Sequence, residues 1–218
     1  VGSAQEHSGI TGISHTLEHM MFKGTEKYPS EIFSSTVAEI GARDNAFTGR
    51  DFTAYYQLME KSKLETSFKL ESDRMLNLVL SPNDFMSELE VVKEERRLRT
   101  DDNPNALVYE QLYAAAFINS PYHHPIIGWM NDLDHLSIED LKMWYQRWYT
   151  PNNAILVVVG DIEPRAVFTL AEKYFAGLKG RSVINSKPRV EHPQTGTRRV
   201  TVKAVAKLPY LMLGYKPI

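Results

Sequence analysis

The stretch Gly12-Ile13-Ser14-His15-Thr16-Leu17-Glu18-His19-Met20-Met21-Phe22-Lys23-Gly24-Thr25 carries an apolar and a polar pattern at once. Its apolar positions Ile13, Leu17, Met20 and Met21 recur at helical spacing, and Gly24 supplies a stop, so a helix is predicted over 12–24. Residues four apart on a helix stand one above the other. His15 and His19 therefore share a face at metal-ligand separation. Glu18 follows His15 by three residues and adjoins His19, which sets its carboxylate beside a metal rather than on it. Catalytic zinc takes about three protein ligands and keeps a position for water. A neighbouring Glu suits the general base acting on that water.

Outward from this segment, the pattern alternates helices with strand-like runs. A helix is predicted over 30–40, ending at Gly41. Residues 45–59 read as strand, rich in Phe47, Thr48, Phe52, Thr53, Tyr55 and Tyr56, with Gly49 as a break. Two long helices over 62–80 and 83–99 are separated by Ser81-Pro82, with Asn83 as the N-cap. Asn103-Pro104-Asn105 ends that pair, and another helix covers 106–118. Ser137 and Asp140 form a capping-box pattern opening a helix over 138–148, which stops before Pro151. The β-branched run 154–159 reads as a buried strand, followed by a helix over 164–178. Residues 199–205 and 210–215 also read as strands. The class is α+β with a mixed sheet.

With 218 residues, 43% hydrophobic and 24% charged, the chain has the composition of one large globular domain, or one plus a fragment. That excludes a disordered or collagenous chain. A net charge of -2 leaves no whole-chain footprint for nucleic acid, so no nucleic-acid partner is expected. The longest apolar runs fall short of the ~20 residues of a membrane helix, so no membrane span is expected in the chain. Cys is absent, which removes disulfides, thiol nucleophiles and Cys-ligated zinc. The chain opens at Val1 without Met and closes on a strand-like run, and reads as part of a longer protein with its signal region undetermined.

A third ligand has candidates on the helix 83–99. Glu95 could reach a metal while Glu88, two turns earlier on the same face, orients a histidine from outside the ligand shell. Spacing alone does not choose Glu95 over Glu94, or Glu88 over Glu90, and charge runs such as Glu94-Glu95-Arg96-Arg97 usually face solvent. The adjacent His123 and His124 read as surface or loop residues before a Pro. Trp144, Tyr145 and Trp148 read as core or interface.

The segment 12–25 resembles the active-site segment of the pitrilysin/insulinase family of zinc metallopeptidases, which includes mitochondrial processing peptidase and bacterial zinc proteases. Its H-x-x-E-H order is that of the inverzincins. The resemblance continues through 41–48, Ser72-Asp73-Arg74-Met75, 88–95, 125–128, 148–153 and 159–161, covering nearly the whole chain in order. The stretch from Glu95 to Pro104 is most similar to the bacterial members. It implies a largely antiparallel sheet packed against several helices. It also implies Zn²⁺ held by His15, His19 and Glu95, with Glu18 catalytic and Glu88 orienting a histidine ligand from outside the ligand set. Asn45, Ala46, Phe47 and Thr48 would form a sheet edge that pairs with an extended peptide substrate, with Phe22 and Phe47 lining apolar subsites. The implied function is a zinc-dependent endopeptidase acting on extended peptides or unfolded polypeptides. The alternative is a non-catalytic partner or scaffold subunit of the same family. The resemblance further implies a metallopeptidase domain over 1–180, a linker over 181–197 and the start of a second homologous domain over 198–218. A second homologous domain or subunit would complete the chamber, and resemblance to bacterial members favours a periplasmic or secreted location.

Overall fold

A computed structural model describes residues 1–183 and 187–216. The fold is α+β. Among the described residues it comprises α1 (Ile13–Met20), α2 (Ser30–Glu39), β1 (Arg43–Thr48), β2 (Thr53–Leu58), α3 (Leu64–Asn77), α4 (Pro82–Arg96), α5 (Pro104–Ala116), α6 (Met130–His135), α7 (Ile138–Trp148) and α8 (Pro164–Phe175). A 3-10 turn, Met21–Lys23, prolongs α1, and a π turn, Arg97–Asp101, prolongs α4.

The core forms where α1, α4 and α7 meet. Ile13, Leu17 and Met20 of α1 pack with Phe85, Leu89 and Val92 of α4 and with Leu141, Trp144, Tyr145 and Trp148 of α7. The aromatic residues of α7 are thus core, as their spacing suggested. A smaller cluster joins Phe33 and Val37 of α2 to Leu70 of α3. Burial of large aliphatic and aromatic side chains contributes ~1.5–3 kcal/mol each, so the α1/α4/α7 contact dominates the energetics.

Two glycines let the start of α1 approach a distant loop. Gly12 has φ +87°, and a Cβ there would stand 2.5 Å from the Ile127 carbonyl oxygen. Gly128 has φ +90° and faces Gly12 across the contact. Neither the conformation nor the space admits a side chain.

Beneath this contact, the Glu6 carboxylate accepts hydrogen bonds from the backbone N–H groups of Gly12 (2.8 Å) and Ser14 (2.9 Å). It thereby serves the unpaired N–H groups at the beginning of α1. Asp132 Oδ2 accepts from the N–H groups of Gly9 and Thr11 and, at 2.6 Å, from the Thr11 hydroxyl. Burial pushes the Glu6 carboxyl up to about 8, against the opposing pull of the Ser14 and Gly12 bonds. A carboxyl raised on folding favours the native state below its unfolded value, and that contribution fades as pH climbs through the folded value. Above the range where the lowered His15 and His124 oppose this trend, chemical unfolding with chelator present should therefore show stability falling from about pH 6.5 to pH 8. Glu6→Gln should be flatter over that window; an identical slope would place the titration elsewhere.

The run 45–59 breaks at Gly49 as expected and pairs with itself as a hairpin, with β1 and β2 antiparallel in the register Arg43↔Leu58 to Thr48↔Thr53 and the chain reversing through Gly49 to Phe52. Several elements differ from expectation. Ser81, not Asn83, caps α4: its hydroxyl accepts from the Asp84 N–H, and Pro82 occupies the first helical position. The sheet is smaller than the mixed one expected. Residues 154–159, 199–205 and 210–215 form no ladder, and Ile155 and Val159 are each 92% exposed. β-branched side chains favour a pleated surface but supply no hydrogen-bonding neighbour, and none lies beside these runs among the described residues. His124 sits in the loop expected for it but is buried, and Arg50 Nη1 donates to its carbonyl (3.0 Å). Parts of the expected linker (184–186) and of the expected second domain (217–218) lie outside the described residues.

Candidate metal centre

The α1 helix leaves His15 and His19 on the side facing α4, with their rings edge-to-face and 4.8 Å apart. From α4, Glu95 turns toward them. Its Oε2 lies 3.7 Å from His15 Nε2 and 3.3 Å from His19 Nε2. Ligand atoms of the three residues all fall within 4.8 Å of one another. Tetrahedral zinc with bonds of ~2.0–2.1 Å separates its donors by roughly 3.3 Å, so the donor spacing suits such an ion. The donor set, two imidazoles and a carboxylate, also matches the kind found in catalytic zinc sites.

The neighbouring carboxylates are sorted by which face of α4 packs on α1. Glu88 Oε2 lies 3.1 Å from His19 Nδ1. Glu94 and Glu90 instead pair with Arg97 and Lys93 and are mostly exposed. Glu18 is buried and accepts a hydrogen bond on Oε2 from the Thr48 hydroxyl of β1. The structure thus brings His15, His19, Glu95, Glu88 and Glu18 together.

Each titrating group is displaced for a nameable reason. Burial, reinforced by the neighbouring His19, lowers His15 to about 4. A neutral imidazole is the form that binds metal. Burial lowers His19 as well, but its bonds to Glu95 and Glu88 outweigh that, and the net direction is up. The His19 bond holds Glu95 below the ordinary carboxylate range. Burial raises Glu18, opposed by the Thr48 bond and by His19.

The residues expected to meet substrate are dispersed. Phe47 is 49% exposed near the end of β1 and packs edge-to-face on Phe52. Asn45 is exposed, and its Oδ1 accepts from the Ala46 N–H. Thr48 turns inward to Glu18. Phe22 is half-buried, its ring 6.4 Å from Tyr55 and under the Arg74 guanidinium. The edge of β1 away from β2 has no strand partner among the described residues.

Two cations, Lys23 and Arg99, also enter the site. Lys23 Nζ lies 2.5 Å from Glu88 Oε1, and Arg99 Nη1 lies 2.6 Å from Glu95 Oε1. Each follows a histidine or glutamate of the cluster by four residues, Lys23 after His19 and Arg99 after Glu95. That helical spacing was the available signal.

The family model described as Insulinase (Peptidase family M16) matches residues 1–129, and Peptidase M16 inactive domain matches 135–217. Zinc protease PqqE of Helicobacter pylori is 36% identical over 99% of this chain and 49% of its own length. A crystal structure of a protease from Helicobacter pylori superposes with a TM-score of 0.83 at 36% identity, covering 88% of this chain and 46% of that one. The periplasmic protease PqqL from Escherichia coli gives a TM-score of 0.80 at 26% identity, covering 88% of this chain and 22% of that one. The chain spans about half the length of the curated relatives it matches. No helix among the described residues is long and apolar enough to cross a membrane.

Proposed function

The chain belongs to the insulinase family, peptidase family M16, and on that premise we propose that it is a zinc-dependent endopeptidase acting on extended peptides. The observation that carries this reading is the convergence of His15, His19 and Glu95 from two helices onto one point, with Glu18 one position before His19 on α1. When bound, zinc supplies Lewis acidity that polarises a carbonyl and makes water a stronger acid. His15, His19 and Glu95 hold the ion, and Glu88 orients His19. Glu18 takes a proton from the attacking water and returns it to the departing amine. Thr48 steadies one oxygen of Glu18, which leaves the other for this transfer.

An extended peptide would add to the open edge of β1, recognised mainly through its backbone along Asn45, Ala46, Phe47 and Thr48. Phe22 and Phe47 would meet its apolar side chains. The domain organisation proposed is a metallopeptidase unit over 1–180, a linker over 181–197 and the beginning of a homologous unit over 198–218. A second homologous half, on the same protein or a partner, would close the chamber around the peptide. The relatives' roughly twofold greater length supports that arrangement. The periplasmic neighbour from Escherichia coli supports an envelope location.

The test is metal content after dialysis. One zinc per chain is expected. Glu95→Gln should lose zinc more severely than the about 10–100-fold that removal of an outer partner costs. Full occupancy in the variant would move the ligand elsewhere, first to Glu94. A non-catalytic scaffold would retain no zinc and turn over no peptide.

A further inference from the structure

The chemistry above leaves Lys23 without a task, although its surroundings are specific. Lys23 lies in the 3-10 turn that prolongs α1, and the chain leaves that turn at Gly24 with φ +84°. Its side chain is 28% exposed and that of Glu88 15% exposed, so the ion pair between them is shielded from solvent on most sides. The two oxygens of Glu88 are divided. Oε1 faces Lys23 Nζ at 2.5 Å and Oε2 faces His19 Nδ1 at 3.1 Å.

We propose that Lys23 is a positioning residue for His19, acting through Glu88. The inference rests on the metal site proposed above. A carboxylate on a long side chain, with one oxygen unpartnered, is free to rotate about its last torsion. The ammonium on Oε1 removes that freedom and aims Oε2 at His19. Nδ1–H then donates to Glu88, which leaves the Nε2 lone pair of His19 for a metal on the side where Glu95 Oε2 lies, 3.3 Å from Nε2. The ammonium also occupies the oxygen with which Glu88 could otherwise swing toward the metal position as a fourth protein ligand. Neither of the other ligands has an equivalent. His15 Nδ1 is buried with no hydrogen-bond partner among the described residues. Arg99 on Glu95 is 75% exposed, where water and salt weaken an ion pair.

The test is zinc affinity of the full chain, by competition with a chromophoric chelator. It compares wild type, Lys23→Met, Lys23→Arg, Glu88→Gln and the Lys23→Met/Glu88→Gln double variant. Lys23→Met should weaken zinc about 10–100-fold, and Lys23→Arg should recover most of it. On the Glu88→Gln background Lys23→Met should add almost nothing, because residues acting as one unit are not additive. Unchanged affinity in Lys23→Met, or a loss that adds in full to that of Glu88→Gln, would overturn the proposal and leave the metal site standing. Absence of zinc from the wild type would overturn both. The thermal midpoint without metal checks folding; if Lys23→Met does not fold, Lys23→Ala carries the same expectations.

Discussion

Glu18→Gln is expected to lower peptide turnover by about a hundred- to ten-thousand-fold, the usual contribution of general acid–base catalysis, while the chain keeps its zinc. The amide preserves the shape of the side chain and can still accept the Thr48 hydroxyl's bond on its oxygen. It cannot take a proton from water near neutral pH. None of the three proposed ligands changes, so metal content should match the wild type. Hydrolysis of a fluorogenic peptide, measured beside zinc content with the proposed second half supplied, separates these effects. Normal turnover would remove Glu18 from the mechanism. Loss of zinc would instead make it part of the metal-binding set.

Glu110→Ala should destabilise the fold by about 3–5 kcal/mol, the cost of stripping one partner from a buried ion pair. Arg96 and Glu110 have side chains only 6% exposed each. Arg96 Nη1 donates to Glu110 Oε2 and to the Gly128 carbonyl, both at 2.8 Å, and Nη2 donates to Glu110 Oε1 at 3.2 Å. Removal of the carboxylate leaves a guanidinium in the interior with Asp101, 3.3 Å away, as its remaining acidic partner. At ~2–4 °C per kcal/mol for a chain of this size, the thermal midpoint should fall by roughly 10 °C. Glu94→Ala is the control. Its partner Arg97 is largely exposed, and such pairs contribute less than about 1 kcal/mol. Equal losses in the two variants would mean that burial does not govern these ion pairs. Because Arg96 adjoins Glu95, metal affinity should weaken in Glu110→Ala as well.

What could be read from sequence followed from local rules. The apolar period of α1, the glycine after it and the Ser137/Asp140 capping box each act within a few residues, and each appears where expected. The two histidines and Glu18 were legible for the same reason. Glu95 was not separable from Glu94 by period, because adjacent residues lie about 100° apart on a helix and either can face inward. What chose Glu95 was the packing of Phe85, Leu89 and Val92 against α1, a tertiary fact. The strand-like runs after residue 153 failed for the complementary reason, since a ladder needs a neighbour that propensity does not provide. The short helix α6 went unread because six residues hold too few periods to register. Glu6 and Asp132 carried no signal at all. Glu6 reaches forward to Gly12 and Ser14 through a turn of irregular chain with no periodic pattern, and Asp132 meets Gly9 and Thr11 only when the chain returns over more than a hundred positions.

The buried carboxylate at Glu6 and the Gly12–Gly128 contact bear on whether the H-x-x-E-H segment can be moved. Helices of similar composition are common, yet few would start on a glycine pressed against another glycine with a carboxylate lodged beneath. Those features set where α1 begins and how it is rotated about its axis, and the aim of both imidazoles depends on that rotation. The five residues are therefore not a portable cassette. Transplanted alone onto another scaffold, they would take their orientation from that scaffold's own packing, so a designer would need to carry the capping carboxylate and the glycine pair along with them.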